Sequence, residues 1–197
     1  MYAPMQRLIK KQGAKIGVMG VGGLGHLAVQ YGKAMGCHVT GFTTSPEKSD
    51  YIKTLGASDV IVVDKDFSSF KSHQHEFDFL INTLPISNFA TMEAYLSTLK
   101  SGGTLIQVGL PNANDHFETS MGSIVHRQLT IHGSTVASIE ETKETLEFTL
   151  KHGIKVAVEN FSFEDFPKAL HRLEHERPQF RCVVNVKDFA DAHFPSN

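Results

Sequence analysis

Six consecutive residues, Gly20-Val21-Gly22-Gly23-Leu24-Gly25, place glycines at the G-x-G-x-x-G spacing. Each glycine has a physical use in holding a dinucleotide. Gly20 permits a tight turn, Gly22 lets the backbone approach a pyrophosphate, and Gly25 lets a helix pack closely on a strand. The amides around Gly23 and Leu24 would then face the phosphates from the favourable end of the helix dipole. The spacing alone is weak, because glycine turns are common, but its context is the one the motif needs. It follows a short apolar strand, Lys15–Met19, and opens a stretch in which Leu24, Leu27, Ala28, Tyr31 and Met35 recur at helical spacing. The next strand, His38–Thr43, ends about 20 residues on, where an acid would bind both ribose hydroxyls of NAD. Thr43 stands there instead, so a 2′-phosphate meets no repulsion. Thr43, Thr44 and Ser45 offer hydroxyls, and Lys48 offers a charge-assisted contact. The chemistry read from these residues is dinucleotide binding with NADPH favoured over NADH, although Ser45 could equally serve as a helix cap.

Other reactive side chains read as ordinary. Of the 11 histidines, His73 and His75 lie two apart in a polar loop, and His171 and His175 lie four apart on one helix face. Neither pair has the HExxH order of a metalloprotease, and a solvated surface explains both. His26, directly after the glycine run, is read as positional. Cys37 and Cys182 are too few for a disulfide framework or a thiolate zinc cluster, and each sits in an apolar setting.

The elements that would position the glycine loop alternate. After a helix through Pro46–Leu55 come a strand at Val60–Val63, a polar loop or short helix over Asp64–Glu76, and a strand at Phe77–Asn82. A helix at Phe89–Leu99 and a turn at Ser101-Gly102-Gly103 precede a strand at Gly103–Gly109. An irregular stretch over 110–128 leads to an outermost strand, Leu129–Gly133. Strands alternating with helices of this length build βαβ units, hence an α/β doubly wound parallel sheet. Beyond Ala137 the texture changes to αβαβ. Ser138 and Glu141 form a capping box for a helix at Ile139–Lys151. Val156–Val158 and Arg181–Val186 read as strands around a helix at Pro167–His175, before a polar tail. The expected division is 1–137 as the dinucleotide-binding domain and 138–197 as a C-terminal segment.

Composition agrees with that fold class. The 197 residues are 41% hydrophobic and 20% charged, enough for a buried core. Nineteen basic and 21 acidic residues leave a formal charge of −2, which argues against nucleic acid or an anionic membrane as partner. No apolar run approaches the roughly 20 residues of a membrane span. The N-terminus lacks the basic-then-apolar order of a signal peptide, and a reduced, cytoplasmic compartment is expected.

The string Tyr2-Ala3-Pro4, IGVMGVGGLGHLAVQYGKAMG, HVTGFTTSPEK, LGASDVI, FDFLINTLP, LKSGGTLIQVGLP and LTIHGST resembles the cinnamyl-alcohol-dehydrogenase-like branch of the zinc-dependent medium-chain dehydrogenase/reductase family. The resemblance runs over nearly the whole chain. It implies hydride transfer between NADP(H) and an aldehyde or primary alcohol, with a catalytic zinc polarising the oxygen. Carried over by position, Thr83 would lie near the nicotinamide and its ribose. Val108, Gly109, Gly133, Ser134 and Thr135 would hold the carboxamide, largely through backbone groups. The family's zinc ligands and proton relay belong to a separate preceding domain, and residues after about Ala137 return to pack against it. The resemblance therefore implies a cofactor-binding half with no catalytic or metal-ligating residues of its own, inactive by itself. It also implies a homodimer paired through the edge strand. Two other readings of the glycine turn stay open. One is an S-adenosylmethionine methyltransferase, which Thr43 disfavours because that class places an acid on the second strand. The other is a non-catalytic nucleotide-binding or interaction module.

Overall fold

A computed structural model describes residues 1–176 and 180–194. Two compact units divide after Ile154. In the first, a parallel sheet of six strands has the order β3-β2-β1-β4-β5-β6, comprising β1 Lys15–Met19, β2 His38–Thr43, β3 Asp59–Val62, β4 Phe77–Asn82, β5 Leu99–Gln107 and β6 Thr130–Gly133. This is the doubly wound dinucleotide-binding order, with the reversal between β1 and β4. Strands of such a sheet are covered on both faces and so read as apolar runs rather than alternating ones. In β1 every residue but the first is buried. The core on one face gathers Met19, Phe42, Phe77, Leu80, Leu96, Leu99 and Leu105. Phe42 sits at its centre, meeting Phe70, Phe77 and Tyr95 edge-on with ring centroids 5.3–5.5 Å apart. No helix among the described residues is long and apolar enough to cross a membrane.

Helices α2 Gly25–Ala34, α3 Ser49–Thr54, α4 Phe89–Ser97 and α5 Met121–Arg127 connect the strands, with α1 Tyr2–Leu8 before β1 and α6 Ile139–Lys151 after β6. A 3-10 turn at Pro46–Lys48 precedes α3, and a second, Ser68–His73, fills the polar stretch before β4. The capping box of α6 forms as expected. Ser138 Oγ accepts from the Glu141 amide at 3.2 Å, and Glu141 Oε2 accepts from the Ser138 amide at 2.9 Å.

Several elements differ from the sequence reading. The Ser101–Gly103 stretch is a bulge inside β5, not a turn before it. Phe77 pairs with Leu99 but Phe79 with Thr104, and Gly102 absorbs the surplus with φ +76°. The helix α4 accordingly ends at Ser97, not Leu99. The segment 110–128 contains α5, held by tertiary contacts that local sequence does not announce. The Glu93 carboxylate of α4 accepts from Thr119 Oγ1, the Ser120 amide and Ser123 Oγ at 2.5–2.8 Å. Helix α6 belongs to the first unit, which moves the division from after Ala137 to after Ile154. Its Phe148 stacks on Tyr2 at 4.5 Å, its Thr149 hydroxyl meets the Tyr31 hydroxyl at 2.8 Å, and its Glu141 pairs with Arg7 at 3.2 Å.

In the second unit, β7 Glu159–Ser162 and β8 Cys182–Asn185 pair in parallel around α7 Phe166–His175, and α8 Lys187–His193 occupies what read as a polar tail. The strand expected at Val156–Val158 lies instead at Glu159–Ser162. The ladder begins where Glu159 meets Cys182, so pairing rather than local hydrophobicity places it. Glu159 is fixed by Arg172 of α7 at 2.8 Å.

Candidate cofactor-binding site

The loop after β1 stands at the switch point, where strand order reverses and ligands of doubly wound sheets bind. Its three motif glycines differ in their surroundings. Gly20 takes φ +81°, a conformation that L side chains rarely adopt. A Cβ on Gly25 would lie 2.0 Å from the Gly20 carbonyl oxygen, so the first turn of α2 touches the loop backbone. A Cβ on Gly22 would meet nothing within 4 Å. Two of the glycines thus serve turn and packing, and the third faces open space where a pyrophosphate would fit. His26, fully buried, holds this shape: its amide and its Nδ1 each lie 3.0 Å from the Gly22 carbonyl oxygen. Leu24 occupies the cap position of α2, directly before Gly25.

At the end of β2, Thr43 is buried and its Oγ1 accepts from the Ser45 amide at 3.1 Å. Thr44 is exposed, while Ser45 and Lys48 are half-buried. Ser45 occupies the cap position of the 3-10 turn without a side-chain cap bond, so the capping role open to it is not used. Met19 pairs with Phe42, which sets Thr43 beside the glycine loop.

Three further strand ends converge across the switch point. Thr83 follows β4, and its amide donates to the Met19 carbonyl at 3.1 Å. Its hydroxyl lies 3.0 Å from Met19 O and 2.7 Å from Gly20 O, which ties β4 to the glycine turn. Val108 and Gly109 follow β5, and both amides donate to the Asn82 carbonyl, at 3.0 and 2.9 Å. Those two N–H groups are therefore engaged within the protein. Ser134 and Thr135 follow β6, and the Ser134 amide donates to Gln107 O at 2.9 Å. Leu24, Val108, Ser134 and Thr135 line one groove of about 450 Å³ together with Ala3 and Pro4. Gly133 has open space where its Cβ would be. The Thr43–Lys48 cluster lies outside that groove, at the β2 end.

Three residues escaped the sequence reading. Arg7 of α1 donates to Ser134 Oγ at 3.2 Å. Asn82, fully buried, and Gln107 join the ends of β4 and β5, with Asn82 Nδ2 donating to Gln107 Oε1 at 2.8 Å. An amide in an otherwise apolar strand end, Ile81-Asn82 and Ile106-Gln107, is the signal that could have found the last two.

His73 pairs with Glu76 at 2.7 Å, and Lys15 holds the same carboxylate at 3.0 Å. Burial opposes ionisation of Glu76, but these contacts outweigh it and hold its carboxyl below the ordinary value. His171 and His175 stack at 4.5 Å on α7. Burial, with Asp78 nearby, raises the Cys37 thiol above its usual range, which suppresses the thiolate. Among the described residues no group of three or more His, Cys, Asp and Glu side chains could hold a metal ion.

The family model for zinc-binding dehydrogenases matches residues 23–151. Aldehyde reductase YahK of Escherichia coli (strain K12) is 32% identical over 190 residues, covering 96% of this chain and 53% of that protein. A probable cinnamyl alcohol dehydrogenase of Populus deltoides is 35% identical over 187 residues, covering 94% and 51%. Among solved structures, the cinnamyl alcohol dehydrogenase of Helicobacter pylori complexed with NADP(H) superposes with a TM-score of 0.81 at 32% identity, covering 94% of this chain and 52% of that one. The chain spans about half the length of the curated relatives it matches. A match over residues 23–151, on a six-stranded doubly wound sheet with a glycine loop at its switch point, settles the kinship: the chain belongs to the zinc-binding dehydrogenase family.

Proposed function

We propose that this chain is the NADP(H)-binding portion of an alcohol dehydrogenase or aldehyde reductase that moves hydride between NADPH and an aldehyde or primary alcohol. The observation that carries the reading is the division of labour in the glycine loop, where Gly20 and Gly25 are packed and Gly22 opens on empty space at the switch point. When bound, the dinucleotide supplies the hydride. The chain's own residues orient it. Gly22 and the start of α2, with Gly23 and Leu24, receive the pyrophosphate. Thr43, Thr44, Ser45 and Lys48 receive the 2′-phosphate. Thr83 and Val108, with Gly109 behind it, and Gly133, Ser134 and Thr135 border the nicotinamide end. The uncharged Thr43 supports NADPH over NADH, because no carboxylate repels the phosphate there.

The described residues do not fit zinc, since none of their His, Cys, Asp and Glu side chains cluster in threes. These 197 residues by themselves are proposed to be inactive. The partners proposed are NADPH, a small aldehyde or alcohol for the whole enzyme, and a second copy of the chain. No nucleic acid or membrane is proposed as a partner.

Fluorescence titration with NADPH, NADH and S-adenosylmethionine tests the reading. NADPH should bind best, and a mixture of chain, NADP and alcohol should produce no NADPH. Thr43→Asp should keep the turn, because a carboxylate can accept from the Ser45 amide as Thr43 Oγ1 does. It should shift the preference toward NADH by roughly tenfold, about 1.4 kcal/mol. Preferential binding of S-adenosylmethionine would overturn the proposal. An unchanged NADPH-to-NADH ratio in the variant would overturn only the role given to Thr43.

A further inference from the structure

Asn82 and Gln107 form a hydrogen-bonded chain with a single direction. The Leu84 amide donates to Asn82 Oδ1 at 2.9 Å, Asn82 Nδ2 donates to Gln107 Oε1 at 2.8 Å, and Gln107 Nε2 donates to the Gly109 carbonyl at 2.6 Å. The backbone groups at the two ends fix both amide orientations. An N–H at Leu84 requires an oxygen facing it, and a carbonyl at Gly109 requires a donor, so neither side chain can flip without losing partners. Asn82 is completely buried, where an unsatisfied amide is costly, so the chain is held as a unit.

The same two residues also reach the neighbouring strand ends through their main chains. Asn82 O accepts from the Val108 and Gly109 amides, and Gln107 O accepts from the Ser134 amide. Thr83 lies between Asn82 and Leu84. The ends of β4, β5 and β6, which carry Thr83, Val108, Gly109 and Ser134, are thereby fastened to one another, and the three side-chain hydrogen bonds of the pair go to these ends rather than to the glycine loop or the β2 end.

We infer that Asn82 and Gln107 are positioning residues that set the nicotinamide end of the cofactor cleft and leave the adenosine end untouched. This inference rests on the NADP(H) reading above. Two conservative variants break the side-chain link differently. Gln107→Met keeps length but removes both amide contacts. Asn82→Asp keeps the acceptor for Leu84 but cannot donate to Gln107. The experiment measures the dissociation constants of NADPH and of adenosine 2′,5′-bisphosphate, which lacks the nicotinamide half, for the wild-type chain and both variants.

Each variant should weaken NADPH by about tenfold, as loss of a buried hydrogen bond implies, and leave the bisphosphate within about twofold. A merely structural role would weaken both ligands together, and that result, or no change in either, overturns the inference. Should Asn82→Asp fail to fold, Gln107→Met decides the matter, since Gln107 is only half-buried. A wild-type chain that binds neither ligand overturns the cofactor reading itself. That outcome is distinct from a wild type that binds both while the variants leave their ratio unchanged.

Discussion

Alanine at Gly22 and at Gly25 should have opposite consequences, although the two residues lie three apart in one loop. At Gly25 the new Cβ would sit 2.0 Å from the Gly20 carbonyl oxygen and 2.9 Å from its carbon, and Cβ contacts under 3.0 Å essentially never occur. Both obstacles are backbone, so α2 must retreat by about 1 Å to reach an ordinary overpacked contact. Such strain costs about 1–3 kcal/mol, which lowers the melting temperature of a domain this size by roughly 2–12 °C. At Gly22 the Cβ meets nothing within 4 Å, and its φ lies outside the left-handed region. Folded stability should therefore hold or rise by up to about 1 kcal/mol, through the narrower unfolded ensemble. The methyl group would instead occupy the space proposed for the pyrophosphate. Losing one charge-assisted contact there costs about 1.5–3 kcal/mol, or roughly 10–150-fold in NADPH affinity. Thermal melts and NADPH titrations on both variants check this directly. A Gly22→Ala chain that melts as low as Gly25→Ala, or binds NADPH like wild type, would refute the assignment of the loop.

Two further outcomes follow from the structure. Burial opposes ionisation of Glu93, but its bonds from Ser123, Thr119 and Ser120 outweigh that and hold its carboxyl below the ordinary value of 4.5. The unfolded chain then binds this proton first, so the stabilisation is present above about pH 4.5 and is lost as pH falls through the folded value. Glu93→Gln should lower the melting temperature at neutral pH, with the gap to wild type closing in acid; a gap constant with pH would exclude the charge as its cause. The edge strand β6 should pair with its copy across a two-fold axis, beside Met121 and Val125, which are 70% and 64% exposed. Light scattering should show a dimer that Ile131→Lys converts to monomer, and a monomeric wild type would rule out edge pairing.

Most of the first unit was legible because a doubly wound sheet writes its strands as apolar runs between glycines. Lys15–Met19, His38–Thr43 and Phe77–Asn82 were read with the ends the structure shows, since burial on both faces leaves little else such segments could be. The last strand, read as outermost, is the edge strand of the sheet. The capping box at Ser138 is equally local: both partners lie within four residues, and the bonds form wherever the helix packs.

What local pattern could not contain are decisions taken by distant partners. The bulge in β5 exists because β4 pairs with Leu99 as well as with Thr104. Helix α5 is anchored by a carboxylate from α4, and α6 is assigned to the first unit by Tyr2 and Tyr31, more than 100 residues away along the chain. The site divides in the same way. Gly20 and Gly25 are visible in the sequence because turn geometry at the first and close packing at the second demand that residue type and no other. Asn82 and Gln107 are marked in the sequence only as amides at apolar strand ends, and what they join is fixed by the fold, which brings them face to face across 25 residues. Spacing along the chain determined where a dinucleotide could be held; only the tertiary structure decided which buried hydrogen bonds join the strand ends around it, since those bonds connect residues that meet solely through the fold.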